Sequence, residues 1–161
     1  MMYDLFRTEL RETQDDGDQQ TVTLFGVGGE ELTKVHRVQH FGLSSAAPVG
    51  SHGIGMSLHG RRDLVVALGL ENAQHRPRNV APGGTVLYDA FGSAISLIQQ
   101  NMRIVHAQKI EHVVGGVTMI LTGDGLAITG GRVTHDGRSI GSDHIHGGVV
   151  PGGGTTDIPA N

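Results

Sequence analysis

Between Ala94 and Gly141 the chain is a succession of short alternating runs broken by glycines: "AISLIQQNMRIVHAQKIEHVVGGVTMILTGDGLAITGGRVTHDGRSIG". The "GG" and "GDG" breaks fall where hairpins would turn, and no window holds a sustained 3.6-residue apolar period. In "MRIVHAQKIEHVV" one face carries Arg103, Lys109 and Glu111, which favour water. The other carries Met102, Ile104, His106, Gln108, Ile110, His112 and Val114, an apolar stripe with polar interruptions. Such alternation predicts strands with one solvent face and one inward face. No partner sheet in the remaining chain is large enough to cover that inward face. Intertwining with other copies would cover it and remove exposed sheet edges. The repetition is one of texture, without a repeat of fixed length.

Composition points the same way. The 161 residues include 26 glycines, no tryptophan and only 4% aromatics, so a monomer has few large side chains with which to offset chain entropy. Burial between subunits escapes that limit. The absence of cysteine excludes disulfides and thiolate chemistry. A net charge of −4 gives no electrostatic reason to expect nucleic acid as a partner. Apolar runs such as "DLVVALGL" are too short to cross a bilayer, and "MMYDLFRTELRETQDD" lacks the apolar core of a secretory signal. The chain is expected to be made and folded in a cytoplasm.

Ahead of the hairpin region, five strand-like segments stand between Gly, Pro, Ser and Asn clusters: Thr21–Gly26, Leu32–Gly42, Gly53–His59, Asp63–Leu70 and Gly84–Gly92. Five strands of this length suit an OB-like barrel. The expected organisation is all-β: an N-terminal segment over 1–20 (a short helix or strand, then an acidic loop), an OB-like barrel over 21–92, a shaft over 93–135 and an apex over 136–161.

The apex carries "DHIH". On an extended chain His144 and His146 project from one face, about 7 Å apart along the backbone, and could converge on one metal ion. Two nitrogens do not complete a site. Two chains would supply four, a zinc-like set, and three chains would supply six around a threefold axis, suiting an ion such as iron(II). The flanking "IGS" and "GG" have no bulk to keep several chains from meeting. A flexible tail without a ligand role is the alternative.

"VTHDGRSIGSDHIHGGVVPGGG" closely resembles the C-terminal signature of phage baseplate assembly protein V, the central spike of contractile tails. The preceding "AAPVGSHGIGMSLHGRRDLVVALGLENAQHRPRNVAPGGTVLYDAFGSAISL" resembles the Mu-type branch of that family. The resemblance runs from about Leu24 onward, with Thr134 to Gly154 its specific part. It implies a homotrimer with an N-terminal OB-fold and an intertwined triple-stranded β-helix narrowing to a metal-bound apex. It implies one iron ion per trimer, held by His144 and His146 of each chain, with zinc or another transition metal as the alternative. It also implies a place in the virion tail baseplate, on the hub beneath the tail tube, and a host outer membrane as target.

His106, Gln108 and His112 would then face the trimer interior, around water or a trapped ion. His135 reads as a surface residue, and His36, His40, His52, His59 and His75 as structural or exposed. "GDG" at Gly123–Gly125 lacks the further oxygens of a calcium loop and reads as a turn. Two other functions bear weighing. An HxH metal-dependent hydrolase would need a third ligand and an acidic base, and neither stands at useful spacing. An OB-fold module binding nucleic acid or sugar would need stacking aromatics that the chain nearly lacks. A non-enzymatic structural protein is the expected class.

Overall fold

The computed structural model describes residues 4–145, 147, 148 and 152. Its first feature is a closed five-strand barrel: β1 (Asp4–Gln14), β2 (Thr21–Phe25), β3 (Glu31–Arg37), β4 (His52–Ser57) and β5 (Val65–Glu71). The strands neighbour one another in the order β1-β2-β3-β5-β4, with β4 returning to β1. Only β3 and β5 run parallel, through His36↔Val66 and Arg37↔Ala67. Alternation selects the inside. In β1, Phe6, Thr8 and Leu10 are buried while Leu5 and Arg7 are exposed; in β2, Val22 and Leu24 point inward.

Two strands change parity part-way, and bulges explain how. Between Val22↔Val35 and Leu24↔Leu32 the β2–β3 register slips, with Lys34 in the left-handed region at φ 55°. The extra residue turns both Leu32 and Val35 inward. In β5 the pair Gly69 and Leu70, at φ 83° and 64°, does the same, so Val65, Ala67 and Leu70 all enter the core. β4 contributes almost no side-chain volume. A Cβ on Gly55 would lie 2.7 Å from the Phe6 ring, and one on Gly53 would lie 2.5 Å from the Leu68 carbonyl oxygen. These two glycines let Phe6 and β5 approach closely. Arg62 covers Phe6 from outside, its guanidinium 4.2 Å from the ring centroid and 3.3 Å from Asp4.

A buried guanidinium ties down the β3–β4 loop. Arg37 is 9% exposed; its Nη1 donates to Gln20 Oε1 at 2.7 Å and to the Ser45 carbonyl, and its Nη2 to Ser45 Oγ at 3.0 Å. Gln39 Oε1 accepts from the Ser45 amide at 2.9 Å. Burial pulls the Arg37 pKa below its ordinary value, with Asp15 opposing the shift.

The all-β class and a five-strand barrel agree with the sequence, but the boundaries differ. Asp4–Gln14, expected as a separate N-terminal segment, is β1 and pairs with both β2 and β4. The fifth expected segment, Gly84–Gly92, lies outside the barrel, which closes at Glu71. The three inward residues of β1, Phe6, Thr8 and Leu10, suffice to line one wall.

β6 (Thr85–Tyr88), β7 (Ala94–Ile98) and β8 (Asn101–Val105) form an antiparallel sheet of their own. Its register aligns Leu87, Ile95 and Ile104 in one row and Thr85, Leu97 and Met102 in the next, on one face. That face is open, with Leu97 51% and Met102 63% exposed. Asp89 folds the β6–β7 turn, its Oδ1 accepting the amides of Phe91 at 2.8 Å and Ser93 at 2.9 Å.

The chain divides into two compact units between Ala107 and Gln108. The second holds the meander β9 (Lys109–Val114), β10 (Val117–Thr122) and β11 (Gly125–Thr129), and the hairpin β12 (Thr134–His135) and β13 (Arg138–Ser139). "GDG" is the β10–β11 turn, as expected, with the Asp124 amide donating to Thr122 Oγ1 at 3.3 Å. One face of the meander is apolar apart from one imidazole: Ile110, Leu121 and Leu126 make one row, and His112, Met119 and Ile128 the next. Leu126 is 60% and Leu121 49% exposed. The predicted continuous stripe through Met102–Val114 is interrupted, because residues 106–108 are not strand.

Candidate functional site

The site with the most specific chemistry follows β13. "VTHDGRS" turns back on itself at Asp136-Gly137, both in the left-handed region at φ 47° and 77°, as a two-residue hairpin turn requires. Thr134↔Ser139 and His135↔Arg138 pair across it, and the Ile140 amide donates to the Val133 carbonyl at 2.9 Å. Asp143 is then fastened to this hairpin from two sides. Arg132 Nη2 lies 3.1 Å from Asp143 Oδ2, and the Ser139 hydroxyl donates to Asp143 Oδ1. These partners, Ser139 first and Arg132 second, hold the Asp143 carboxyl below the usual carboxylate range.

His144 follows directly. Its backbone N–H donates to the Gly141 carbonyl at 3.2 Å, and its ring Nδ1 lies 2.7 Å from the same oxygen. A carbonyl can only accept, so this contact puts a proton on Nδ1; in the neutral ring the lone pair is then on Nε2. Metal-bound histidines are held in this way, with the second nitrogen donating to a carbonyl or carboxylate. His144 thus fits a transition ion as an imidazole donor through Nε2. His146, the other half of the expected pair, lies outside the described residues. Among the described residues of one chain, no group of three or more His, Cys, Asp or Glu side chains is placed to hold a metal. A site at His144 therefore draws on His146 or on further chains.

The other candidates are dispersed. His106 is exposed in the segment that closes the first unit, and Gln108 is exposed where the second begins. His112 lies in β9 opposite Met119, within the apolar face. His135 is a surface residue, its Nδ1 3.7 Å from Asp136 Oδ2. His40, His52, His59 and His75 are exposed and His36 half-buried, on separate parts of the barrel unit. Sequence reading missed the Arg132–Asp143–Ser139 bridge. The Asp136-Gly137 dipeptide was the available signal, since it folds Arg132 and Ser139 back beside the residues before His144.

Comparison with known proteins bears on the barrel. A family model described as Bacteriophage Mu Gp45, N-terminal, matches residues 7–74, which run from β1 through the end of β5. The barrel region is thus similar to the Mu Gp45 N-terminal family. The baseplate puncturing device gp45 of Escherichia phage Mu is 28% identical to this chain over 82 residues. That stretch is 51% of this chain and spans 42% of the phage Mu protein's length. The family-model match ends at residue 74, ahead of β6, so the later sheets and the hairpin at His144 lie outside it.

Proposed function

We propose that the chain is a structural component of a contractile-tail baseplate: a homotrimeric central spike that pierces the host outer membrane and performs no catalysis. The observation that carries this reading is the apolar face of β9–β11, open among the described residues, in a chain whose barrel matches the Mu Gp45 N-terminal model. Three copies wound into a triple-stranded β-helix would bury those faces against one another and leave no strand edge along the shaft. The name of the phage Mu relative, a baseplate puncturing device, agrees with this use.

In this reading the barrel seats the trimer on the baseplate hub beneath the tail tube, and assembly takes place in the host cytoplasm. His144 and His146 of three chains hold one ion at the apex, iron by family resemblance and zinc as the alternative. When bound, such an ion would cross-link three chains; structural metal sites in small domains reach apparent stabilisations of about 10–16 kcal/mol. His144 would hold the ion through Nε2, with Nδ1 on the Gly141 carbonyl. The spike acts mechanically: force from sheath contraction falls on a small area, and the chains must neither fray nor separate.

Native mass spectrometry of the purified protein tests the reading. The expected species is three chains of 17.0 kDa plus one iron-sized mass, reduced to apo-trimer when His144 and His146 are both replaced by Gln. A metal-free monomer would falsify it.

A further inference from the structure

We infer that Asp143, bridged to Arg132 and Ser139, is a positioning residue that sets His144 for coordination through Nε2. The inference deepens the proposed apex and rests on it. Three observations carry it. Asp143 immediately precedes His144, and its two carboxylate oxygens go to different partners, Arg132 ahead of β12 and Ser139 at the end of β13. A side chain held on both sides of a hairpin fixes its own Cα, and with it the peptide entering His144. The turn so formed then places one acceptor, the Gly141 carbonyl, against both the His144 amide and its Nδ1.

An exposed ion pair kept for stability alone contributes little. Here the pair also sets a backbone whose outcome is one imidazole tautomer. Carboxylates beside an HxH pair are natural candidates for ligands themselves, but Asp143 spends both oxygens on the hairpin. The structure gives it the supporting role and leaves coordination to the imidazole. Outer partners of this kind typically change metal affinity 10–100-fold when removed.

The test uses the full-length protein. Asp143→Asn, Arg132→Gln and Ser139→Ala variants are challenged with excess chelator, and iron release is followed alongside trimer mass and shaft melting. Each variant is expected to lose iron about 10–100-fold faster than the parent while trimer mass and melting stay unchanged. Ser139→Thr, which keeps the hydroxyl, is expected to restore slow release. A second readout is the tautomer: in trimer reloaded with diamagnetic zinc, two-bond proton–nitrogen spectra of ¹⁵N-histidine are expected to show a protonated Nδ1 at His144. The signal is assigned by its loss in His144→Gln. Unchanged iron release in all three variants, or coordination through Nδ1, overturns the inference while the apex stands. A parent trimer without metal overturns the apex and the inference together.

Discussion

Single positions in the barrel carry costs that can be read from the geometry. A side chain at Gly55 would press on Phe6 and on Thr8 Cγ2, the latter 2.9 Å from its Cβ, so Gly55→Val overpacks a filled core. The expected loss is about 1–3 kcal/mol, read as a lower thermal midpoint. Gly53→Ala meets backbone, the Leu68 carbonyl and the Leu70 amide, neither of which can rotate away, so it is expected to be at least as damaging. An equal midpoint for both variants and the parent would mean that β4 does not lie as close to Phe6 and β5 as described. Arg37 poses a different test. Gln20→Leu removes one of three acceptors of a buried guanidinium, leaving the two on Ser45, and a lost hydrogen bond to a charged group costs about 1.5–3 kcal/mol. Hydrogen exchange should rise in residues 39–47, the loop that Ser45 and Gln39 tie to Arg37.

At the scale of elements, the β6–β7 turn has a pH dependence with a definite sign. Hydrogen bonds from Ser93 and Phe91 lower the Asp89 pKa below its usual value of 3.8, with His106 a smaller contributor. A depressed carboxylate adds stability above its unfolded value and loses it as pH falls through the folded one. The Phe91 and Ser93 amide resonances should therefore titrate with a midpoint under 3.8, and the transition should vanish in Asp89→Asn. A midpoint at or above that value would mean the turn bonds do not form in solution. Turns of this sort were largely legible in the sequence, because Gly, Asp and Ser mark them chemically. "GG", "GDG" and the strands Thr21–Phe25 and Val65–Glu71 stood close to where they were expected. β1 was legible only as a short helix or strand: its identity as a barrel wall depends on pairing with β4, some forty residues away. The break at 106–108 was hidden, since strict alternation through Met102–Val114 has no local marker of interruption. The HxH pair was plain in the sequence, whereas the bridge beside it was not, because Arg132 and Asp143 meet only after the hairpin closes.

For the whole molecule, the proposed trimer makes the exposed apolar faces the deciding surface. Leu121 sits at the centre of its row, between Ile110 and Leu126. Leu121→Glu is expected to shift sedimentation from three times 17.0 kDa toward the single chain, while the barrel's melting stays as in the parent. A trimer that survives this change would place the interface elsewhere. The contrast between the two kinds of sheet has a temporal side. β1–β5 find every partner within the first 71 residues, so they can close as soon as that length of chain has emerged. In the proposed trimer β9–β11 can pair with one another at once, but cover for their apolar face comes only from other chains. Refolding from denaturant should accordingly show a first phase indifferent to protein concentration and a second that quickens with it. In a cell making many copies, the finished barrels would keep waiting chains in solution, and the supply of neighbours would set the pace of completion.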